Sequence, residues 1–146
     1  MIVQQNNLLI WESPIEWQVI DLALGDPNDD GRFELLLIVN KQDESSRLTN
    51  HPFVIGFRNG LFRQLWGGSA VADPIREVEL GDLDGDGVQE LIVIETQKSG
   101  KEAIAVWNWH GWGFSLVWRS PEARYEDLTV VSGASGRRVI SVGKVW

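Results

Sequence analysis

Short apolar stretches separated by turn-forming residues run along the whole chain of 146 residues. The stretches consist of Val, Ile, Leu, Phe and Trp, and they are bounded by Gly, Asp, Asn or Pro, a pattern typical of strands joined by turns. No window of about a dozen residues combines a sustained 3.6-residue period with helix caps. The pattern therefore predicts an all-β fold.

The pattern repeats with an offset of 56 residues. Residues 19–40 align without a gap with residues 75–96, and an apolar strand follows an acidic loop in both copies. A predicted hairpin comes next, in residues 53–66 of the first copy and 104–118 of the second. The first hairpin turns at Asn-Gly, which supplies the positive φ angles of a type I′ turn. Each repeat is therefore predicted to be a unit of four antiparallel strands.

The two ends of the chain are predicted to supply a third unit in two halves. Residues 2–11 match the third and fourth strands, with a turn at Asn6-Asn7, whereas residues 127–131 and 139–142 match the first and second. The three fourth strands each end in a tryptophan, namely Trp11, Trp66 and Trp118. We expect one domain whose parts are residues 1–14, 15–70, 71–122 and 123–146.

A unit split across the termini is typical of ring-shaped β-propellers, which protect their strand edges in this way. We therefore expect propeller-type blades, with a sandwich or barrel of repeated hairpins as the alternative. Three blades are fewer than the four to eight that usually close a ring. Three arrangements stay open: a six-bladed ring made by a homodimer, half of a longer protein or hetero-assembly, and an unusually small ring. We favour the homodimer because twofold symmetry satisfies both seams identically.

An acidic loop of the form D-x-[DN]-x-D-G-x-x-E precedes the second strand in both complete units. Oxygen donors at loop positions 1, 3 and 5 converge on one point, the glycine at position 6 permits the reversal, and the carbonyl at position 7 turns inward. Such a set suits a hard cation, and the number of donors favours Ca²⁺ over Mg²⁺. An EF-hand is not indicated, because its glutamate at position 12 is replaced by Leu37 or Val93 and the flanking elements are strands.

The segment ELGDLDGDGVQELIVI resembles FG-GAP/VCBS-type repeats, the calcium-loop propeller blades of integrin α-chain heads and many bacterial surface proteins. The resemblance covers nearly the whole chain as blades, although two of the three units carry the motif. It implies two Ca²⁺ sites per chain, with side-chain ligands at loop positions 1, 3, 5 and 9 and a carbonyl ligand at position 7. The implied ligands are Asp26, Asn28, Asp30, Arg32 and Glu34 in the first loop, and Asp82, Asp84, Asp86, Val88 and Glu90 in the second.

The three loops differ in how closely they match this motif. The second loop matches it best, whereas Asn28 replaces a carboxylate in the first loop and Pro27 stiffens its turn. We therefore expect the first loop to bind the ion more weakly. The third loop, residues 132–136, holds no carboxylate and is predicted to bind no metal.

Charge and composition narrow the possible functions. The formal net charge is −8, which argues against a nucleic-acid partner because phosphate binding needs clustered cations. Seven of the 21 acids occupy predicted ligand positions, so the fourteen others nearly balance the 13 bases, and two bound Ca²⁺ would leave −4. The lack of cysteine excludes disulfides and thiolate chemistry.

The sequence shows no membrane span and no signal peptide. The longest apolar run is about six residues, too short to cross a bilayer. The N-terminal segment has neither a charged n-region nor a long apolar h-region. The resemblance nevertheless implies an extracellular or cell-surface location.

No catalytic residues are predicted. His51 and His110, the two histidines, lie in a predicted loop and a predicted turn, and no nucleophile motif or phosphate-binding loop is present. We expect a non-catalytic, calcium-stabilised scaffold that binds a protein partner. The alternative is a carbohydrate-binding propeller that uses an exposed aromatic platform of Trp107, Trp109 and Trp112. We favour packing between blades and within the hairpin as the role of these tryptophans.

Overall fold

The computed structural model describes residues 1–42, 44–67, 73–132 and 138–144. It confirms the all-β class, and its described residues contain no helix. No helix among them is therefore long and apolar enough to cross a membrane. Twelve strands follow one another: β1 Ile2–Gln5, β2 Leu8–Glu12, β3 Gln18–Gly25, β4 Glu34–Gln42, β5 Leu48–Arg58, β6 Leu61–Gly67, β7 Ile75–Gly81, β8 Glu90–Thr96, β9 Glu102–Trp109, β10 Phe114–Arg119, β11 Tyr125–Ser132 and β12 Arg138–Lys144.

The strands form two four-stranded and two two-stranded antiparallel sheets. Strands β3 to β6 make the first four-stranded sheet in sequence order, and β7 to β10 make the second, so we call these sheets unit 1 and unit 2. Strands β1 and β2 form the N-terminal hairpin, and β11 and β12 form the C-terminal hairpin. The two hairpins do not pair with each other among the described residues.

The turns follow the predicted chemistry. Asn6 and Asn7 both have positive φ angles, 51° and 62°, and Asn59-Gly60 has φ angles of 54° and 81°. Asparagine and glycine tolerate these values, so both hairpins reverse over two residues.

The second and third strands of unit 1 are longer than predicted. The pattern predicts that the hairpin begins at residue 53, but β4 continues to Gln42 and β5 already begins at Leu48. His51 accordingly lies within β5 and not in a loop. The register between Asn40 and Asn50 explains the extension, because Asn50 Nδ2 donates to Asn40 Oδ1 at 2.9 Å and to the Ile75 carbonyl at 3.0 Å. Polar side chains that are satisfied across strands allow the sheet to continue.

Three apolar layers join the four sheets into a row. Leu36, Ile38 and Val54 of unit 1 pack on Val78, Leu80 and Leu91 of unit 2. The N-terminal hairpin covers the opposite face of unit 1 around Leu37 and Phe53, and the C-terminal hairpin covers the opposite face of unit 2 around Ile92 and Ile94. The second strands, β4 and β8, are buried on both faces, which explains their continuous apolar runs.

The first strands of the sheets lie next to one another, β3 beside β7 and β7 beside β11. A backbone-to-side-chain bond fixes the first of these contacts, since the Val78 amide donates to Asp21 Oδ2 at 2.8 Å. The acidic loops follow β3 and β7 directly, so this packing brings both loops to the same end of the row.

Candidate metal sites

The first acidic loop, residues 26–34, joins β3 to β4 and is held by the carboxylate of its first residue. Asp26 accepts hydrogen bonds from the amides of Asp30, at 3.0 Å, and Gly31, at 2.7 Å. Asp29 and Gly31 have positive φ angles of 52° and 79°. An L-residue other than aspartate or asparagine adopts such angles only at a cost, so this loop composition is what allows the tight fold.

The second acidic loop, residues 82–90, repeats this arrangement between β7 and β8. Asp82 accepts from the amides of Gly85, at 2.6 Å, and Gly87, at 3.1 Å. Gly85 and Gly87, one repeat after Asp29 and Gly31, have φ angles of 86° and 96°. The two loops therefore share positive φ angles at positions 4 and 6 and a bond from the position 6 amide to the carboxylate at position 1.

Each loop brings three carboxylates together. Ligand atoms of Asp26, Asp30 and Glu34 lie within 4.8 Å of one another in the first loop, as do those of Asp82, Asp84 and Asp86 in the second. Like charges at about 4 Å repel by about 1 kcal/mol per pair even in bulk water, and more strongly near a protein surface. Both clusters would therefore be stabilised by a bound cation.

A buried glutamate lies at the base of each loop. Glu34 is 1% exposed and Glu90 is 4% exposed. Burial raises the pKa of Glu34, more than its hydrogen bond with Arg58 lowers it. Burial also raises the pKa of Glu90, and the carboxylates of Asp84, Asp86 and Asp82 add to this effect. Both side chains hold a carboxylate where its charge is poorly solvated.

The two glutamates differ in their immediate partners. Glu90 Oε2 accepts from the Leu83 amide at 2.7 Å, which turns this oxygen toward the start of the loop. Glu34 Oε1 accepts instead from Arg58 Nη2 at 2.6 Å, and the same nitrogen also donates to Asp30. A guanidinium from the β5–β6 turn therefore reaches into the first loop. In the second loop, none of the ion pairs between described residues involves Asp82, Asp84 or Asp86.

The donor set fits a hard divalent cation. Both loops offer oxygen atoms alone, which is the set that Ca²⁺ prefers. In the first loop, Asn28 Oδ1 and Glu34 Oε2 are buried and have no hydrogen-bond partner among the described residues. Buried acceptors that lack a donor are costly, and a cation would satisfy them. The carbonyl ligands implied at Arg32 and Val88 belong to the same two loops and stay predictions.

A hydrogen bond that the sequence did not reveal links the loops. Gln89, beside Glu90 in the second loop, extends toward the first loop and accepts from the Asp26 amide at 2.7 Å. Gly25 permits this approach, because a Cβ there would collide with the Gln89 side chain itself and with the side chain of Leu80. The only sequence signal was the lack of a side chain at Gly25, so a contact with a residue 64 positions away was not predictable.

The third loop falls mostly on residues 133–137, outside the described residues, so its predicted lack of a metal stays a prediction.

The three tryptophans proposed as a ligand platform do not form one exposed surface. Trp107 is 6% exposed and lies in the apolar layer between the two units, so its assignment to the platform is wrong. Trp109 makes edge-on contacts with Trp66 and Phe114, at centroid distances of 5.9 Å and 5.1 Å. Trp112, in the turn after β9, is 83% exposed. The burial of Trp107 between the units agrees with the packing role that the sequence favours over the platform.

Comparison of the chain with protein-family models, with curated proteins and with solved structures finds no match. The two loops and the sheets that carry them are therefore the basis on which a function is assigned.

Proposed function

We propose that this chain is a non-catalytic scaffold of the β-propeller type, clamped by one Ca²⁺ in each acidic loop, that presents its surface to a protein partner. The observation that carries the proposal is a carboxylate cluster in each of two loops at equivalent repeat positions: Asp26, Asp30 and the buried Glu34 in the first, and Asp82, Asp84 and Asp86 above the buried Glu90 in the second. A bound cation would offset the repulsion between these charges, and the same need arises in both copies of the repeat.

The sheets support the propeller part of the proposal. Units 1 and 2 each contain four antiparallel strands in sequence order, and their faces pack on each other through first strands that lie side by side. This is how consecutive propeller blades pack around an axis. One chain supplies two whole units and two half units, which are the N-terminal and C-terminal hairpins. A closed ring needs more blades than these, so we propose that a homodimer forms a six-bladed ring.

The role proposed for Ca²⁺ is structural. In the first loop, Asp26, Asn28, Asp30 and Glu34 would hold the ion with side-chain oxygens, and Asp82, Asp84, Asp86 and Glu90 would do so in the second. The bound charge would offset the repulsion within each cluster and the burial of each glutamate. Each loop connects the first two strands of a unit, so the ion would fix the position of β4 relative to β3 and of β8 relative to β7.

Carbohydrate binding has less support than the scaffold function. It depended on a platform of three tryptophans, of which Trp107 is buried and Trp109 packs against Trp66 and Phe114. Trp112 alone keeps an exposed ring among these three. One aromatic side chain in a turn is a weak basis for sugar specificity.

Calorimetric titration with Ca²⁺ tests the proposal. We expect two ions per chain, with affinities in the range of about 10⁻⁴ to 10⁻³ M if the chain behaves like extracellular calcium modules. The double substitution Asp84→Asn with Asp86→Asn should remove one ion, whereas Glu16→Gln with Glu122→Gln, the same change of charge at exposed positions outside the loops, should remove none. The proposal is wrong if the wild-type chain takes up no Ca²⁺ at about ten times that concentration.

A further inference from the structure

Each half unit covers only half of the face on which it packs. The N-terminal hairpin lies over β4 to β6 of unit 1 through Trp11 and Phe62, whose ring centroids are 6.3 Å apart, and it leaves most of β3 uncovered. The C-terminal hairpin lies over β7 and β8 of unit 2 and leaves the outer strand β10 uncovered. The cover that unit 1 lacks is therefore equivalent to the first and second strands of a unit. The cover that unit 2 lacks is equivalent to the third and fourth strands.

An apolar strip lies on the uncovered half of unit 1. We define the open strip as Leu22, Leu24 and Phe33, which are 47%, 59% and 71% exposed. The residues one repeat later at the two leucine positions, Val78 and Leu80, are 4% and 7% exposed because unit 1 covers them. The open strip therefore has the same position and chemistry as a surface that this fold buries elsewhere.

Phe33 indicates the kind of surface that would pack against the open strip. Its equivalent in unit 2 is Gln89, which extends across the seam to the end of β3 at Gly25 and the Asp26 amide. The position equivalent to Gly25 at the end of β11 is Val131, which is 42% exposed. Between units 1 and 2, this position pairs a glutamine side chain with a polar backbone amide. On the uncovered surfaces, the two equivalent positions hold Phe33 and Val131, both exposed. Two apolar groups at matching positions favour association of the two surfaces.

The tryptophans at the ends of the fourth strands indicate a matching gap on unit 2. Trp11 packs on Phe62 of the following unit, and Trp66 packs on Phe114 of the next at 5.2 Å. Trp118, the third member, is 50% exposed. It lies over the uncovered half, where the third and fourth strands of a following unit would be.

We propose that a second copy of this chain fills both gaps, with its β12 pairing along β1 and its β11 covering the open strip. The proposal rests on the homodimeric ring proposed above, and it assigns which strands of the two copies pair and in what register. The C-terminal hairpin of each copy supplies the first and second strands of a unit and has no third strand beside it. The N-terminal hairpin supplies the third and fourth strands and has no second strand beside it. A twofold axis joins each to its complement, buries the open strip with the partner's Val131, and pairs both edges. The new contact continues the apolar layer already formed by Val19 and Leu35.

The repeat also fixes the register of the new pairing. In unit 1, Leu35 lies opposite Ile55, and in unit 2 the equivalent Leu91 lies opposite Trp107. The equivalent position in β12 is Ile140, which lies opposite Val130 as Leu91 lies opposite Leu80. Val54 lies opposite Trp66 in unit 1, and Val3 lies opposite Trp11 in the N-terminal hairpin. Val3 is therefore the equivalent of Val54, and Gln4 is the equivalent of Ile55. Ile140 of one copy is therefore expected opposite Gln4 of the other.

Disulfide trapping tests the register, because the chain has no cysteine of its own. Differently tagged chains carrying Gln4→Cys and Ile140→Cys are co-expressed and oxidised, so that only a contact between two chains can link them. We expect a covalent heterodimer on a non-reducing gel. Ile2→Cys replaces Gln4→Cys in a matched control that is two residues out of register, where cross-strand neighbours are about 7–8 Å apart and a disulfide forms poorly. Equal trapping of both pairs would overturn the register.

Light scattering tests the surface independently of the disulfide. The wild-type chain should have the mass of two chains, and Leu24→Lys with Phe33→Ser should have the mass of one while its near-ultraviolet circular dichroism is retained. Leu48→Lys, at an exposed position at the start of β5 and away from both gaps, is the control for an added charge and should leave the dimer intact.

Two results would overturn the proposal. One is a monomeric wild-type chain, and the other is a disulfide within a single chain carrying both Gln4→Cys and Ile140→Cys, which would indicate closure without a partner. Calcium titration of the same samples separates the two proposals. A monomer that binds two ions contradicts the second copy alone, and a trapped dimer that binds none contradicts the calcium sites alone.

Discussion

Arg58 places its Nη2 atom 2.6 Å from Glu34 Oε1, so the first acidic loop already holds a positive charge. The same nitrogen contacts Asp30, and the side chain of Glu34 is fully buried beneath this pair. The equivalent position in unit 2 is His110, whose ring contacts Ser115 and not the second loop. The two loops therefore share positive φ angles at positions 4 and 6 but differ in the cation available to them.

Replacing Arg58 should strengthen Ca²⁺ binding at the first loop. The guanidinium uses oxygen lone pairs of Asp30 and Glu34 that an ion would need, so Arg58→Gln removes a competitor. We expect the affinity of the first loop to rise by about tenfold, which corresponds to about 1.4 kcal/mol. Titration calorimetry measures it, and Arg63→Gln on the exposed face of β6 is the control for lost charge. An unchanged or weakened first site would show that Arg58 does not compete with the ion.

Removing the Gln89 side chain should weaken the first site without affecting the second. Its bond to the Asp26 amide holds the first residue of the first loop, although Gln89 belongs to the second loop. For Gln89→Ala we expect a loss of about 1 kcal/mol in the free energy of unfolding, typical of one hydrogen bond, and weaker binding at the first loop. Urea unfolding and calorimetry measure the two effects, with Gln64→Ala on exposed β6 as the control. Equal weakening of both sites would contradict this link.

The sequence predicted the regular part of the molecule and missed contacts made by long side chains. The repeat placed Gly25 on Gly81 and Glu34 on Glu90, and both loops have positive φ angles at positions 4 and 6 because such angles depend on local glycines and aspartates. Arg58 was not predictable as a loop partner, because its contact depends on how the β5–β6 turn folds over β4. The sequence favoured packing between units for Trp107 but left an exposed platform open, because alternation along a strand distinguishes two faces and does not say which of them another sheet covers.

Glu95 should make the stability of the protein fall as pH rises from about 4 to 7. It is fully buried, and burial raises its pKa although Arg119, 2.8 Å away, lowers it. The unfolded chain ionises first, so it binds fewer protons than the folded chain across this range, and the free energy of unfolding decreases with pH until the folded-state pKa is passed.

Thermal melts of Glu95→Gln test this assignment. Its melting temperature relative to the wild-type protein should be higher at pH 7 than at pH 4, because glutamine does not ionise. Glu16→Gln, at an exposed position, should show no such trend. A relative melting temperature that is constant with pH would mean that Glu95 keeps its charge in the fold without cost.

Trp109 and Trp112 should respond differently to truncation. Trp109 packs edge-on against Trp66 and Phe114, so Trp109→Ala should lower the free energy of unfolding by about 2 kcal/mol or more. Trp112 is 83% exposed, and Trp112→Ala should change it by less than about 0.5 kcal/mol. Urea unfolding compares the two. A large loss at Trp112 would indicate that its ring is buried against a neighbouring surface.

Thermal melting with and without Ca²⁺ is the most direct test of the calcium clamp. Ions that bind the folded chain alone stabilise it by about 1.4 kcal/mol per site at a tenfold excess over the dissociation constant. For a chain of this size we expect the melting temperature to be about 5–10 °C higher in millimolar Ca²⁺ than in EDTA. Asp84→Asn with Asp86→Asn should lose about half of this shift. Equal melting temperatures in Ca²⁺ and EDTA for the wild-type protein would contradict the account.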